Sequence, residues 1–144
     1  MKYHKVGDLL AEVTEGIIVH GCNAQGVMGG GFALQVKNRY RGAYSEYQLF
    51  CMRERAVGEV NLVQVSDTLF IANAITQEFY GTHKRQVDYE GVAQCFETIA
   101  AQCARIPIHY PMIGAGLAGG NWTIISTIID ETLKGCDHTL WTLK

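Results

Sequence analysis

GIIVHGCNAQGVMGGGFA, residues 16 to 33, begins as an apolar run and ends in glycine. Its first part, GIIVHGC (16–22), is almost continuously apolar, the pattern of a strand covered on both faces of its sheet. From residue 21 to 33, five of the thirteen positions are glycine and none is charged. A helix is expected to follow from about Gly30 to Tyr40, continuing after Gly42 toward Arg53. A glycine cluster between a strand and a helix is either a turn that needs a positive φ or a loop whose N–H groups face an anion.

The same alternation runs through the chain. EVNLVQV (59–65), TLFIANAI (68–75), RIPIHYPMI (105–113) and HTLWTL (138–143) read as further strands. Tyr89, Val92, Ala93, Phe96, Ile99, Ala100 and Cys103 form one apolar stripe at helical spacing, so a helix is expected from Asp88 to about Arg105 with Asp88 as its N-cap. Another is expected from near Trp122, burying Ile125, Ile128, Ile129 and Leu133 and ending at Gly135. Pro107 and Pro111 flank or interrupt one strand pattern. Together these elements give an α/β fold with helices on both faces of a mixed sheet, in a single domain covering 1–144.

Composition narrows the function. Lys plus Arg is 12 against 14 for Asp plus Glu, a net charge of −2, which argues against a surface built to neutralise nucleic-acid phosphate. MKYHKVGDLL at the start lacks the apolar core of a signal peptide, and no apolar run approaches the roughly 18 residues of a membrane span, so a soluble cytoplasmic protein is expected. The five cysteines, Cys22, Cys51, Cys95, Cys103 and Cys136, show no CxxC spacing and read as reduced thiols, with Cys95 and Cys103 packed on the helical stripe. No metal site and no cofactor are expected.

A second glycine loop completes the pattern. RIPIHYPMI leads into GAGLAGGNW (114–122) and then into the Ile-rich helix, so two glycine loops each join a strand end to a helix start, where N–H groups and the helix dipole favour phosphate. Neither is a P-loop, because the GK[ST] ending is missing. Nor does GVMGGG match the GxGxxG dinucleotide fingerprint with its ribose-binding acid.

VGDLL (6–10), HGCNAQGVMGGGFA (20–33), IANAITQ (71–77), VDY (87–89) and PMIGAGLAGGNW (111–122) resemble, in order and over nearly the whole chain, the motifs of a macro domain. Within that family the sequence is similar to the compact branch of terminal ADP-ribose glycohydrolases, ADP-ribose-1''-phosphate phosphatases and phage or bacterial members. The resemblance implies a three-layer α/β/α fold with ADP-ribose or a 1''-linked derivative as ligand. It implies that Asp8 accepts from the adenine amine, that Leu9 offers a backbone N–H and that Asn23 faces the distal ribose. The backbone of Gly29, Gly30, Gly31 and Phe32 would line one side of the diphosphate, and Gly114, Ala115, Gly116, Leu117, Ala118 and Gly119 would close over the other.

The glycohydrolases of this branch carry a lysine just after the IT of the strand and an aspartate directly after the GL of the second loop. Those positions here are Gln77 and Ala118, which can neither form an imine nor act as acid or base. His20, Asn23 and His83 are the remaining catalytic candidates, with Cys22, Lys84, Arg85 and Asp88 near them if the THKRQVD loop folds over the cleft. Three functions are compatible with these residues. One is processing of the distal ribose substituent by a phosphatase or hydrolase. Another is non-catalytic reading or sequestering of ADP-ribose or an ADP-ribosylated macromolecule. The last is erasure of ADP-ribose from nucleic acid, which the net charge does little to favour. The residues taken without the resemblance also fit, as runner-up, another α/β nucleotide-binding module.

Overall fold

The computed structural model describes residues 2–81, 85–103, 105–116 and 118–144. Among these described residues six strands form one sheet: β1 (Lys2–Val6), β2 (Gly16–Asn23), β3 (Val60–Gln64), β4 (Leu69–Gln77), β5 (Ile108–Tyr110) and β6 (His138–Thr142). Among the same residues five helices join them: α1 (Leu9–Glu12), α2 (Gly31–Arg39), α3 (Arg41–Cys51), α4 (Tyr89–Cys103) and α5 (Trp122–Thr132). The strand order is β1-β6-β5-β2-β4-β3, and β3 is the antiparallel member against β4. This is the mixed α/β/α sandwich that the strand and helix patterns predict.

Alternation along the central strands assigns the two helical layers. Ile17 and Val19 of β2, with Ala72 and Ala74 of β4, pack against Val92, Phe96 and Ile99 of α4 and Ile125 and Ile129 of α5. Ile18 and Ile71 point the other way, onto Leu9 and Leu10 of α1, Val36 of α2 and Ala43 of α3. Burial on both faces explains why GIIVHGC and LFIANAI read as continuous apolar runs.

Several boundaries differ from the sequence reading. The strand expected over 105–113 is only Ile108–Tyr110, because Pro107 and Pro111 bound it on both sides. β1 gave no signal: all five residues of KYHKV are exposed on an edge strand paired only with β6. The segment 30–53 divides at Tyr40 (φ −128°, ψ 75°), which ends α2 and starts α3, rather than at Gly42. The expected cap of α4 is present, with the Gly91 N–H donating to Asp88 Oδ1 at 3.0 Å. No described helix is long and apolar enough to cross a membrane.

Candidate ligand-binding cleft

β2 and β5 are adjacent and parallel, yet the chain leaves them toward opposite faces. After β2 it turns to α2 in one helical layer, and after β5 it turns to α5 in the other. Diverging exits from neighbouring parallel strands open a crevice at their carboxyl ends, the usual ligand position in an open α/β sheet. Here the crevice encloses about 680 Å³, within the range of small-ligand pockets.

Both glycine loops line it. Gly29, Gly30, Gly31 and Phe32 stand on one side, Gly114, Gly116 and Ala118 on the other, with His20, Asn23 and Gln77 at the strand ends. No Lys, Arg, Asp or Glu is among the described lining residues. The two helix starts are not equivalent. α5 is capped by Asn121, whose Oδ1 accepts from Thr123 N and Ile124 N at 2.9 and 3.4 Å. Two of its first N–H groups are therefore already used, so α2 offers the more open of the two helix starts. α2 has no side-chain cap: among the described residues nothing accepts from the N–H groups of Gly31, Phe32 and Ala33. Gly31 itself lies at φ 57°, a conformation that L side chains rarely adopt. An anion seated there would receive unpaired N–H groups and the positive end of a helix dipole.

Asn23 organises the first loop. Its Oδ1 accepts from Gln25 N (3.0 Å), Val27 N (3.3 Å) and the Tyr47 hydroxyl (2.9 Å), while its Nδ2 donates to Val27 O (2.8 Å). The same hydroxyl lies 2.6 Å from Asn23 O, so its one proton is shared between two acceptors. One Nδ2 hydrogen of Asn23 is left over for a ligand. Tyr47 is fully buried on α3, and burial holds its phenol protonated far above neutral pH.

His20 is buried beneath the same strand end. Its Nε2 lies 2.6 Å from Asn73 Oδ1. Asn73 Nδ2 donates to Ala43 O and Asn61 Oδ1, which fixes the amide so that only its oxygen can face the ring. His20 therefore carries its proton on Nε2. Desolvation by burial draws its pKa down to about 4, only partly opposed by the Asn73 hydrogen bond, so the ring is neutral at physiological pH. Phe32, in the first turn of α2, packs on it with ring centroids 5.9 Å apart. Cys22, with Sγ 3.5 Å from His20 Nε2, is pushed well above the usual thiol range by burial and is no thiolate nucleophile.

No family model matches the sequence. The chain is 28% identical over 142 residues to the ADP-ribose glycohydrolase OARD1 of Bos taurus, covering 95% of this chain and 88% of that protein. It is 24% identical over 125 residues to an ADP-ribose 1''-phosphate phosphatase of Candida albicans, covering 80% of each. In three dimensions it matches the macrodomain protein of Streptomyces coelicolor with a TM-score of 0.81 and 28% identity, over 98% of both chains. The chain has the macrodomain fold.

In this macrodomain Gln77 Nε2 donates to Phe79 O at 2.6 Å, so the side chain braces the turn after β4. Tyr80 N donates to Gln25 Oε1 at 3.4 Å and ties that turn to the first loop. Ala118, buried, accepts from Gln86 N (2.8 Å) and Val87 N (3.4 Å) through its carbonyl. Asp8 is exposed and caps α1, accepting from Ala11 N at 3.3 Å, while the Leu9 side chain is buried in the core. Neither is among the cleft lining residues, nor are Ala115 and Gly119 of the second loop. His83, Lys84 and Leu117 lie outside the described residues. Arg85 stacks on Tyr89, 4.6 Å from the ring centroid. Among the lining residues that the sequence reading leaves without a role are Thr76, Tyr80, Met112 and Ile113, with Tyr47 behind them. Thr76, Met112 and Ile113 sit inside quoted motifs; for Tyr47 the contact spans 24 positions and leaves no local signature.

Proposed function

We propose that this macrodomain binds ADP-ribose or a 1''-linked ADP-ribose derivative in the cleft and removes the group carried on the distal ribose, as a phosphatase or hydrolase. The carrying observation is the uncapped start of α2, opening onto a cleft whose described lining has no charged side chain and whose far wall is the second glycine loop. A diphosphate fits that chemistry, because backbone N–H dipoles bind it without a lysine. The names of the curated relatives favour the same ligand class. In this reading Asp8 and Leu9 serve the adenine, Asn23 offers its remaining N–H to the distal ribose, and the backbone of the two loops grips the diphosphate.

Removing a 1''-phosphate breaks its P–O bond while water attacks phosphorus, and charge grows on the phosphoryl oxygens. Positioned N–H donors stabilise that charge without any titrating group. An imine route is closed by Gln77 and Ala118. His20, neutral and hydrogen-bonded to Asn73, contributes by holding β2 and Phe32 in place rather than as a base near neutral pH. His83 is retained as a candidate for the terminal phosphate.

A second reading, a non-catalytic reader of ADP-ribose or of a macromolecule that carries it, is favoured by one observation. The Gln77 side chain braces a turn at a position where glycohydrolases of the family place their lysine. Titration calorimetry with ADP-ribose, followed by phosphate release from ADP-ribose-1''-phosphate, separates the two. Binding with turnover is expected. Binding without turnover makes the protein a reader or a hydrolase of another adduct, and absence of binding refutes both.

A further inference from the structure

The end of β4 contains a defect in an otherwise regular ladder. Ile75 pairs with Cys22 and Gln77 pairs with Asn23, so Thr76 is an extra residue with no partner across the strand. Bulges of this kind re-aim side chains and recur beside binding sites. The Thr76 carbonyl is used, accepting from Asp88 N at 2.8 Å. Its hydroxyl is not: the side chain is fully buried, and Oγ1 has no hydrogen-bond partner. A buried hydroxyl without a partner is costly, and most proteins avoid it.

The position of that hydroxyl suggests what it serves. Thr76, Gly21 and Ile113 all line the cleft. A Cβ built on Gly21 would stand 2.8 Å from Thr76 Oγ1 and 3.1 Å from the Ile113 Cγ2 methyl. The hydroxyl thus lies beside the bare backbone of β2, at the strand end that also presents Asn23, with Ile113 from the second loop packed close by. A side chain at position 21 would occupy this corner, and glycine leaves it open.

We propose that Thr76 is a specificity-determining residue. When a ligand seats between the loops and displaces Ile113, the Thr76 hydroxyl hydrogen-bonds a hydroxyl of the distal ribose beside Asn23. The inference rests on the ADP-ribose reading of the cleft and adds a residue to it. The orphaned hydroxyl destabilises the ligand-free protein and is satisfied on binding, so stability and affinity respond to its removal with opposite signs.

The test is Thr76→Val, which keeps the shape and removes the hydroxyl, with Thr76→Ala as a second hydroxyl-free variant and Thr76→Ser as the rescue. Thermal melts without ligand and calorimetry with ADP-ribose and with ADP, which lacks the distal ribose, are the readouts. The expectation is a higher melting temperature for Val. ADP-ribose affinity falls by about tenfold in both hydroxyl-free variants, ADP affinity is unchanged, and Ser recovers the ADP-ribose affinity. Wild-type affinity for ADP-ribose in the Val or Ala variant overturns the inference, as does an equal loss for ADP and ADP-ribose. If the wild-type protein itself does not bind ADP-ribose, the functional reading falls and this inference with it, an outcome seen before any variant is compared.

Discussion

Replacing Tyr47 with Phe removes one oxygen from the core and tests how the first glycine loop is held. In the native protein the hydroxyl proton is shared between Asn23 O at 2.6 Å and Asn23 Oδ1 at 2.9 Å. Asn23 Oδ1 keeps two other donors, Gln25 N and Val27 N, but among the described residues Asn23 O is left with the weak Cys51 thiol at 3.9 Å. The loss is therefore one buried hydrogen bond plus a poorly satisfied carbonyl, about 1 to 3 kcal/mol. For a domain of this size that lowers the melting temperature by about 4 to 12 °C. Asn23 then gains freedom, and ADP-ribose affinity should fall about tenfold, since the loop must be re-ordered on binding. Urea unfolding gives the first number and calorimetry the second. A stability change below about 0.5 kcal/mol would refute the claim that the hydroxyl carries the loop. A clear loss of stability with unchanged affinity would detach Asn23 from the ligand.

Other outcomes follow from the same geometry. Gly30→Glu should abolish ADP-ribose binding by setting a carboxylate where the diphosphate approaches α2, and retained calorimetric affinity would remove that loop from the site. Gly114→Ala should destabilise by about 2 to 4 kcal/mol, because φ is 74° and the new Cβ would stand 2.8 Å from Val87 Cγ2 and 3.0 Å from Ile125 Cδ1. Gly116→Ala, which meets nothing within 4 Å, should stay within about 0.5 kcal/mol of wild type in the same urea titration. Because burial draws the folded pKa of His20 to about 4, below the ordinary imidazole value of about 6.5, the unfolded chain binds the extra proton. Stability contributed by the neutral ring is therefore complete above about pH 6.5 and is lost as pH falls toward 4, by about 3 kcal/mol for this group. Burial lowers His109 and His138 in the same direction, so the His20 imidazole resonances should be followed by NMR; protonation near pH 6.5 would contradict the burial argument.

What the sequence made legible was the part governed by local chemistry. β2, β4 and α4 announce themselves because burial on both faces, or on one helical stripe, writes a period into the residues. β1 does not, since a fully exposed edge strand needs no apolar pattern. Length misled at RIPIHYPMI, where proline decides the strand boundary and apolar content does not. The cap of α5, Asn121 directly before Trp122, is a local signal that the sequence reading left unused, and it is the residue that makes the two loops unlike. Thr76 and Tyr47 were not readable: the one depends on a register shift against β2, the other on a contact from α3 to a loop 24 positions earlier. Tertiary geometry alone assigns them.

The bare start of α2 has a thermodynamic corollary. Val36 is the one buried residue of that helix, and its first turn has no side-chain cap, only the half-buried Phe32 packed against His20 to hold it in register. An anion at Gly31 would act as the missing cap, and the fraying of that turn and the occupancy of the cleft would become a single coupled equilibrium. In hydrogen-exchange terms, the amides at the start of α2 should be among the fastest in the free protein and should slow in proportion to ligand occupancy. A millimolar oxyanion with no nucleoside attached should reproduce part of that protection.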